Sequence, residues 1–321
     1  MKTVCLDCAT VFPAGDGHWK ELEKFGDVDI FERTPSDRDI IVKRCADAGI
    51  VLTNKVPLDA EIISVLPCLR YIGVLATGYN IVDVGAAARS GIVVTNIPSY
   101  STASVAQMTF ALLLAITNRV ESYAGENRNG RWAASPDFSY RMYPLAELSG
   151  KTFGIVGYGH IGSAVAAIAS SFGMKVAVAT SRSQSDLPEG YVKTDLDTLF
   201  GCADIVSLHC PLTSGTYHLA DARRLAMMKP SAILINTSRG PVVDENALAA
   251  ALRSGQIAAA GIDVMTQEPP SPDNPLLAEP NCFITPHIAW ASDEARERLM
   301  KIALGNIEAF LAGVPQNVVR G

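Results

Sequence analysis

Short apolar runs alternate with amphipathic stretches along the whole chain, the pattern of βαβ units built around a buried parallel sheet. In the first third, residues 3–6, 28–31, 50–53, 71–74 and 93–95 read as strands. They are apolar almost throughout, as strands covered on both faces must be. Helical periodicity intervenes, as at 59–66 and 82–90, and from about 102 to 129 it becomes continuous, with Val105, Met108, Leu112, Leu113 and Ile116 on one side. A second series of strands comes at 152–156, 175–179, 205–208, 232–236, 259–263 and 282–285. Residues 292–312 close the pattern as one amphipathic helix.

Two strand series predict an α/β protein of two Rossmann-like, doubly wound parallel-sheet domains. The last helix comes after the second series and is expected to return to the first domain. The first domain is then discontinuous, 1–100 with 290–321, and the second, 101–289, is inserted into it. Residues 130–150 are irregular and crowd Trp132, Pro136, Phe138, Tyr140, Tyr143 and Pro144 into a polar segment. Such an arm packs either on its own domain or on a second subunit; a homodimer is the expectation.

Composition narrows the function. The 321 residues are 48% hydrophobic and 19% charged, enough for two cores, and a net charge of −6 with no basic run argues against a nucleic-acid partner. Asp7 interrupts the N-terminus before an export signal can form. The most apolar stretch, 105–117, is broken by Gln107 and falls short of the roughly 18 residues of a membrane span. No membrane partner is expected. Cysteines at 5, 8, 45, 68, 202, 210 and 282 have no accompanying histidine cluster, so free thiols, no metal and a cytoplasmic setting are expected.

The sequence Gly157-Tyr158-Gly159-His160-Ile161-Gly162 sits between an apolar strand and an apolar helix beginning near Ser163. In that context GxGxxG is a dinucleotide signature: Gly157 for the tight turn, Gly159 for approach of backbone to pyrophosphate, Gly162 for close helix–strand packing. His160 and Ile161 lie at the helix start. The next strand ends in Thr180-Ser181-Arg182-Ser183, without the acid that would take the adenosine ribose hydroxyls. Ser181 and Arg182 suit a 2′-phosphate instead. The cofactor expected is NAD(P), with NADP(H) favoured over NAD(H).

Three further segments lie just past strands, where open parallel sheets place their ligands. They present Arg239, then Asp263 and Glu268, then His287. Reduction of a 2-keto acid needs a planar cation for the carboxylate, an acid for the developing alkoxide, and a carboxylate to orient and charge that acid. Arg239, His287 and Glu268 are of those types.

On these residues the chain resembles the D-isomer-specific 2-hydroxyacid dehydrogenase family, through the cofactor turn and through 236–240, 261–269 and 286–289. The resemblance implies that Arg239, Glu268 and His287 are catalytic. It makes 101–289 the dinucleotide-binding domain and the remainder the substrate-binding domain. It gives the backbone of Ala76, Thr77 and Gly78 the substrate carboxylate, and Trp290 a wall of the substrate pocket. Val105, Thr109, Thr237, Ser238, Asp263, His287 and Ala289 fall at the nicotinamide end, and Cys210 and Pro211 beneath the adenosine. Within the family the likeness is to glycerate dehydrogenases, also called hydroxypyruvate reductases, which interconvert hydroxypyruvate and D-glycerate or glyoxylate and glycolate. The alternatives are a 2-hydroxyacid dehydrogenase of other side-chain preference and a dinucleotide-sensing, corepressor-like binding protein. Formate dehydrogenation is disfavoured, because that chemistry pairs Gln with the histidine where Glu268 stands.

Overall fold

The computed structural model describes residues 1–320, which form two compact units, one of 1–101 with 291–320 and one of 102–290. The first unit carries a five-stranded parallel sheet of β1 (Thr3–Cys5), β2 (Val28–Ile30), β3 (Ile50–Thr53), β4 (Tyr71–Val74) and β5 (Val93–Thr95), in the order β2-β1-β3-β4-β5. Helices α1 (Arg38–Cys45), α2 (Ala60–Ser64) and α3 (Val84–Arg89) join the strands, and Val4, Val51, Ile72 and Val94 meet Ile41, Ile62 and Ala87 in one core. The strands carry hydrophobic side chains on both faces because both are covered.

The second unit opens with α4 (Thr102–Asn118) and α5 (Val120–Arg128). The expected continuous helix over 102–129 is therefore wrong: the axis bends by 57° at Arg119, whose φ is +52°. The tertiary structure supplies the cause. The Thr117 carbonyl accepts the Ala146 N–H at 3.2 Å, and the Arg119 guanidinium is drawn over the rings of Phe283 at 4.6 Å and Tyr143 at 5.4 Å. After the arm come β6 (Thr152–Val156), α6 (His160–Ser171), β7 (Lys175–Ala179), β8 (Val192–Lys193), α7 (Leu196–Cys202), β9 (Ile205–Leu208), α8 (Ala222–Met227), β10 (Ile233–Asn236), α9 (Glu245–Arg253), β11 (Ala259–Ile262) and β12 (Cys282–Ile284). All seven strands are parallel, in the order β12-β11-β10-β9-β6-β7-β8. The edge strand β8, two exposed residues long, has no sequence signal of its own. Helix α6 begins at His160, inside the glycine motif and earlier than the expected 163.

The final helix α10 (Asp293–Leu311) belongs to the first unit. Ser292 caps it by accepting the Ala295 N–H. Asn306 then anchors it, donating to the Asn96 carbonyl at 3.0 Å and accepting from Asn317 Nδ2 at 2.8 Å. The tail beyond α10 adds an antiparallel bridge between Thr95 and Val318. No single helix among the described residues is long and apolar enough to cross a membrane.

Candidate active site

The glycine turn has the geometry that a bound pyrophosphate needs. Gly157 takes φ +92°, and a Cβ there would stand 2.7 Å from the His209 carbonyl oxygen. A Cβ at Gly162 would stand 2.1 Å from the Gly157 carbonyl oxygen, so only glycine lets α6 start this close to β6. Around Gly159 there is open space, with no heavy atom within 4 Å of a Cβ placed on it. Six other helices, α1, α2, α3, α7, α8 and α9, are closed at their N-termini by Asp side chains accepting backbone N–H groups. Helix α6 has Gly159 at that position and no side-chain cap. Its first-turn N–H groups, at His160 and Ile161, keep their partial positive charge for an outside anion.

Past β7, Ser181 and Arg182 are exposed, and the Arg182 guanidinium lies 5.6 Å from the centre of the Tyr158 ring. The loop is held from β8, where Lys193 Nζ donates to the Arg182 carbonyl at 2.6 Å. The next acid along the chain, Asp186, spends an oxygen on the Ser183 N–H. Cys210 is buried and Pro211 exposed after β9. Burial pushes the neighbouring His209 imidazole down to about 3.

Strands β10, β11 and β12 are neighbours, roughly 4.8 Å apart, so the loops at their C-terminal ends emerge side by side. Arg239 lies just past β10; it is exposed, and one guanidinium nitrogen donates to the Ser238 carbonyl at 2.7 Å. Glu268 and His287, from the loops after β11 and β12, meet directly, Oε2 facing Nδ1 at 2.6 Å. The other Glu268 oxygen accepts the Met265 N–H at 3.0 Å, which fixes the carboxylate in plane. Nδ1 of His287 is thereby committed to Glu268, and Nε2 is the nitrogen available to a substrate.

His287 itself has φ +55°, an uncommon conformation for a residue with a side chain. Asp263 enforces it. Its buried carboxylate accepts from Thr285 Oγ1 at 2.6 Å and from the Ile288 and Ala289 N–H groups at 3.0 Å, while its carbonyl accepts the His287 N–H at 2.8 Å. Burial pushes the Asp263 carboxyl up, and the bonds from Thr285, Ala289 and Ile288 oppose that rise. Asp263 was expected as a cofactor contact; the structure adds the task of shaping the turn under His287.

Thr109 and Thr237 are buried and share a hydroxyl contact at 3.2 Å, with Thr109 also donating to the Val105 carbonyl. Trp290 is half-buried three residues beyond His287, after the buried Ala289. In the first unit, residues 76–78 form a loop after β4. Ile97 N–H donates to the Ala76 carbonyl, Asn96 Nδ2 to the Thr77 carbonyl, and Thr77 Oγ1 to the Ile97 carbonyl. The N–H groups of Ala76, Thr77 and Gly78 have no acceptor among the described residues. Two participants escaped the sequence reading. Gly240 packs so closely on the loop after β11 that a Cβ there would stand 2.0 Å from the Met265 carbonyl carbon. Asn236, fully buried at the end of β10, bonds across the turn that carries Arg239. The proximity of Gly240 to another loop had no local signal.

Residues 110–289 match the family model described as D-isomer specific 2-hydroxyacid dehydrogenase, NAD binding domain. The chain is 46% identical over 321 residues, 99% of each sequence, to a hydroxypyruvate reductase of Blautia hydrogenotrophica. It is 43% identical over 281 residues, 87% of this chain and 88% of the relative, to a glycerate dehydrogenase of Methylorubrum extorquens. Among solved structures, an NADPH-dependent glyoxylate/hydroxypyruvate reductase of Sinorhizobium meliloti, in complex with NADP and malonate, superimposes with a TM-score of 0.85 at 30% identity, covering 99% of this chain and 96% of that one.

Proposed function

Because the chain belongs to the D-isomer-specific 2-hydroxyacid dehydrogenase family, we propose that it reduces hydroxypyruvate to D-glycerate and glyoxylate to glycolate, using NADPH in preference to NADH. The observation that carries the reading is the His287–Glu268 pair at 2.6 Å, one strand end from Arg239 and behind an uncapped α6. The residues fit a nicotinamide dinucleotide on the geometry of Gly157, Gly159 and Gly162 alone. When bound in its reduced form, that cofactor supplies the hydride.

The protein's own part is to bind, orient and protonate. Arg239 pairs with the keto acid carboxylate and polarises the ketone oxygen. The N–H groups of Ala76, Thr77 and Gly78 keep the carboxylate-holding role that the family resemblance gives them, and Trp290 limits side-chain size. His287 enters as imidazolium, its Nδ1–H donated to Glu268 and its Nε2–H to the ketone oxygen. As negative charge develops there, Nε2 releases its proton to the oxygen, and hydride plus proton complete a two-electron reduction. Glu268 lowers the energy of the imidazolium and holds its ring plane, so loss of its carboxylate removes the charge partner and the aim of the ring together.

The cofactor preference rests on Arg182, with no acid at the end of β7 to take a ribose hydroxyl. The same proposal makes the protein a homodimer through the exposed arm, and places it in a reducing cytoplasm, which its seven unpaired cysteines favour. A panel of 2-keto acids assayed with NADPH and NADH tests the reading. Highest kcat/KM for hydroxypyruvate or glyoxylate with NADPH is expected. A preference for bulky keto acids would overturn the substrate, and a preference for NADH the cofactor. His287→Ala and Arg239→Ala should each lose at least about 100-fold in kcat/KM while keeping the fold; near-normal turnover would overturn those roles.

A further inference from the structure

We propose that Asn236 is the positioning residue for Arg239, holding the turn that aims the guanidinium at the substrate; the inference rests on Arg239 being the group that binds the keto acid carboxylate. Asn236 ends β10 and is fully buried, an unfavourable place for a carboxamide unless each polar atom is used. Both of its side-chain polar atoms are. Its Nδ2 donates to the Arg239 carbonyl at 2.9 Å. Its Oδ1 accepts from the Ser238 N–H at 3.0 Å and the Ser238 hydroxyl at 2.8 Å. The backbone carbonyl of Asn236 accepts the Asp263 N–H at 2.9 Å, so one residue ties the Arg239 turn to the strand whose aspartate shapes the His287 turn.

The three side-chain bonds span residues 236 to 239 and leave the backbone under Arg239 no alternative arrangement without an unpaired buried group. On the far side the turn is wedged by Gly240 against the peptide of Met265 and Thr266, in the loop that also carries Glu268. The Arg239 side chain is itself exposed, and it donates to the neighbouring Ser238 carbonyl. The direction of the guanidinium therefore comes from the backbone, and the backbone is set by Asn236. A shift of about 1 Å in a group that holds the substrate carboxylate beside the reacting ketone costs about 100-fold in rate.

The test is a double-mutant cycle in the full-length enzyme, with hydroxypyruvate and NADPH. Asn236→Asp keeps the volume and the oxygen that serves Ser238, and replaces the donor to the Arg239 carbonyl by an acceptor. Asn236→Ala removes both. Each should lower kcat/KM for hydroxypyruvate by about 10- to 100-fold, with KM for NADPH changed less than about threefold, since a merely loosened fold would move both. In an Arg239→Ala background either change should add less than about threefold, because a residue that acts through Arg239 has nothing left to aim. Where Asn236→Ala fails to fold, the Asp variant completes the cycle. Near-normal activity of the Asp variant, or losses that multiply in the double variant, would overturn the inference. A fully active Arg239→Ala would overturn the Arg239 assignment first and this inference with it.

Discussion

His209 shows how one desolvated imidazole ties stability to pH. Its imidazole accepts from or donates to Ser207 Oγ at 2.8 Å, and burial pushes it down to about 3, from about 6.5 in the unfolded chain. Between those values the unfolded state binds the extra proton, so stability rises with pH and is lost as pH falls from about 6.5 towards 3. The slope is up to about 1.4 kcal/mol per pH unit. Urea unfolding at pH 7 and pH 5 should show His209→Gln losing about 2 kcal/mol less than the wild type over that interval; parallel losses would refute it. Gly162 gives a steric counterpart. A methyl there meets a backbone oxygen that cannot swing aside, so Gly162→Ala should cost about 1–3 kcal/mol and weaken NADPH binding. Fluorescence titration with an unchanged Kd would contradict that. The glycine roles were legible in the sequence because each needs only the absence of a side chain. Those of Asn236 and Gly240 were not, since their partners lie across a turn or on another strand.

At the level of elements, periodicity located every strand longer than two residues, because strands buried on both faces must be apolar whatever their neighbours. Boundaries moved where a cap decided them. Aspartates at 37, 59, 83, 195, 221 and 244 start helices, and the rule that a short acceptor precedes the first turn would have placed those starts to the residue. The break between α4 and α5 had no such sign, being imposed by Phe283, Tyr143 and Ala146. Helix α10 depends on Asn306 in the same tertiary sense. Asn306→Ala removes a buried donor to the Asn96 carbonyl and an acceptor for Asn317, and should cost about 1–3 kcal/mol, read by thermal denaturation. A change below about 0.5 kcal/mol would show that α10 is held by its apolar face alone.

For the whole molecule the arm sets the assembly prediction. Phe138 is 91% exposed, Trp132 54% and Leu145 53%, although Tyr140 and Tyr143 pack on Tyr123 of the same chain. The arm thus covers part of its own unit and still offers apolar side chains outward. Light scattering at micromolar concentration should give a dimer, and Phe138→Asp should shift it towards monomer. A monomeric wild type would reject the proposed homodimer.

The layered α/β architecture, the dinucleotide turn and the three chemical types at the ends of β10, β11 and β12 are all written locally in the chain, because periodicity, glycine spacing and residue chemistry need no distant partner. Folding was needed to bring Glu268 onto Nδ1 of His287, to set Asp263 bending the turn beneath that histidine, and to let Asn236 brace the one bearing Arg239. Those bonds join residues from separate loops or turn back across one, and their partners are chosen by strand order and burial, which no stretch of sequence states on its own.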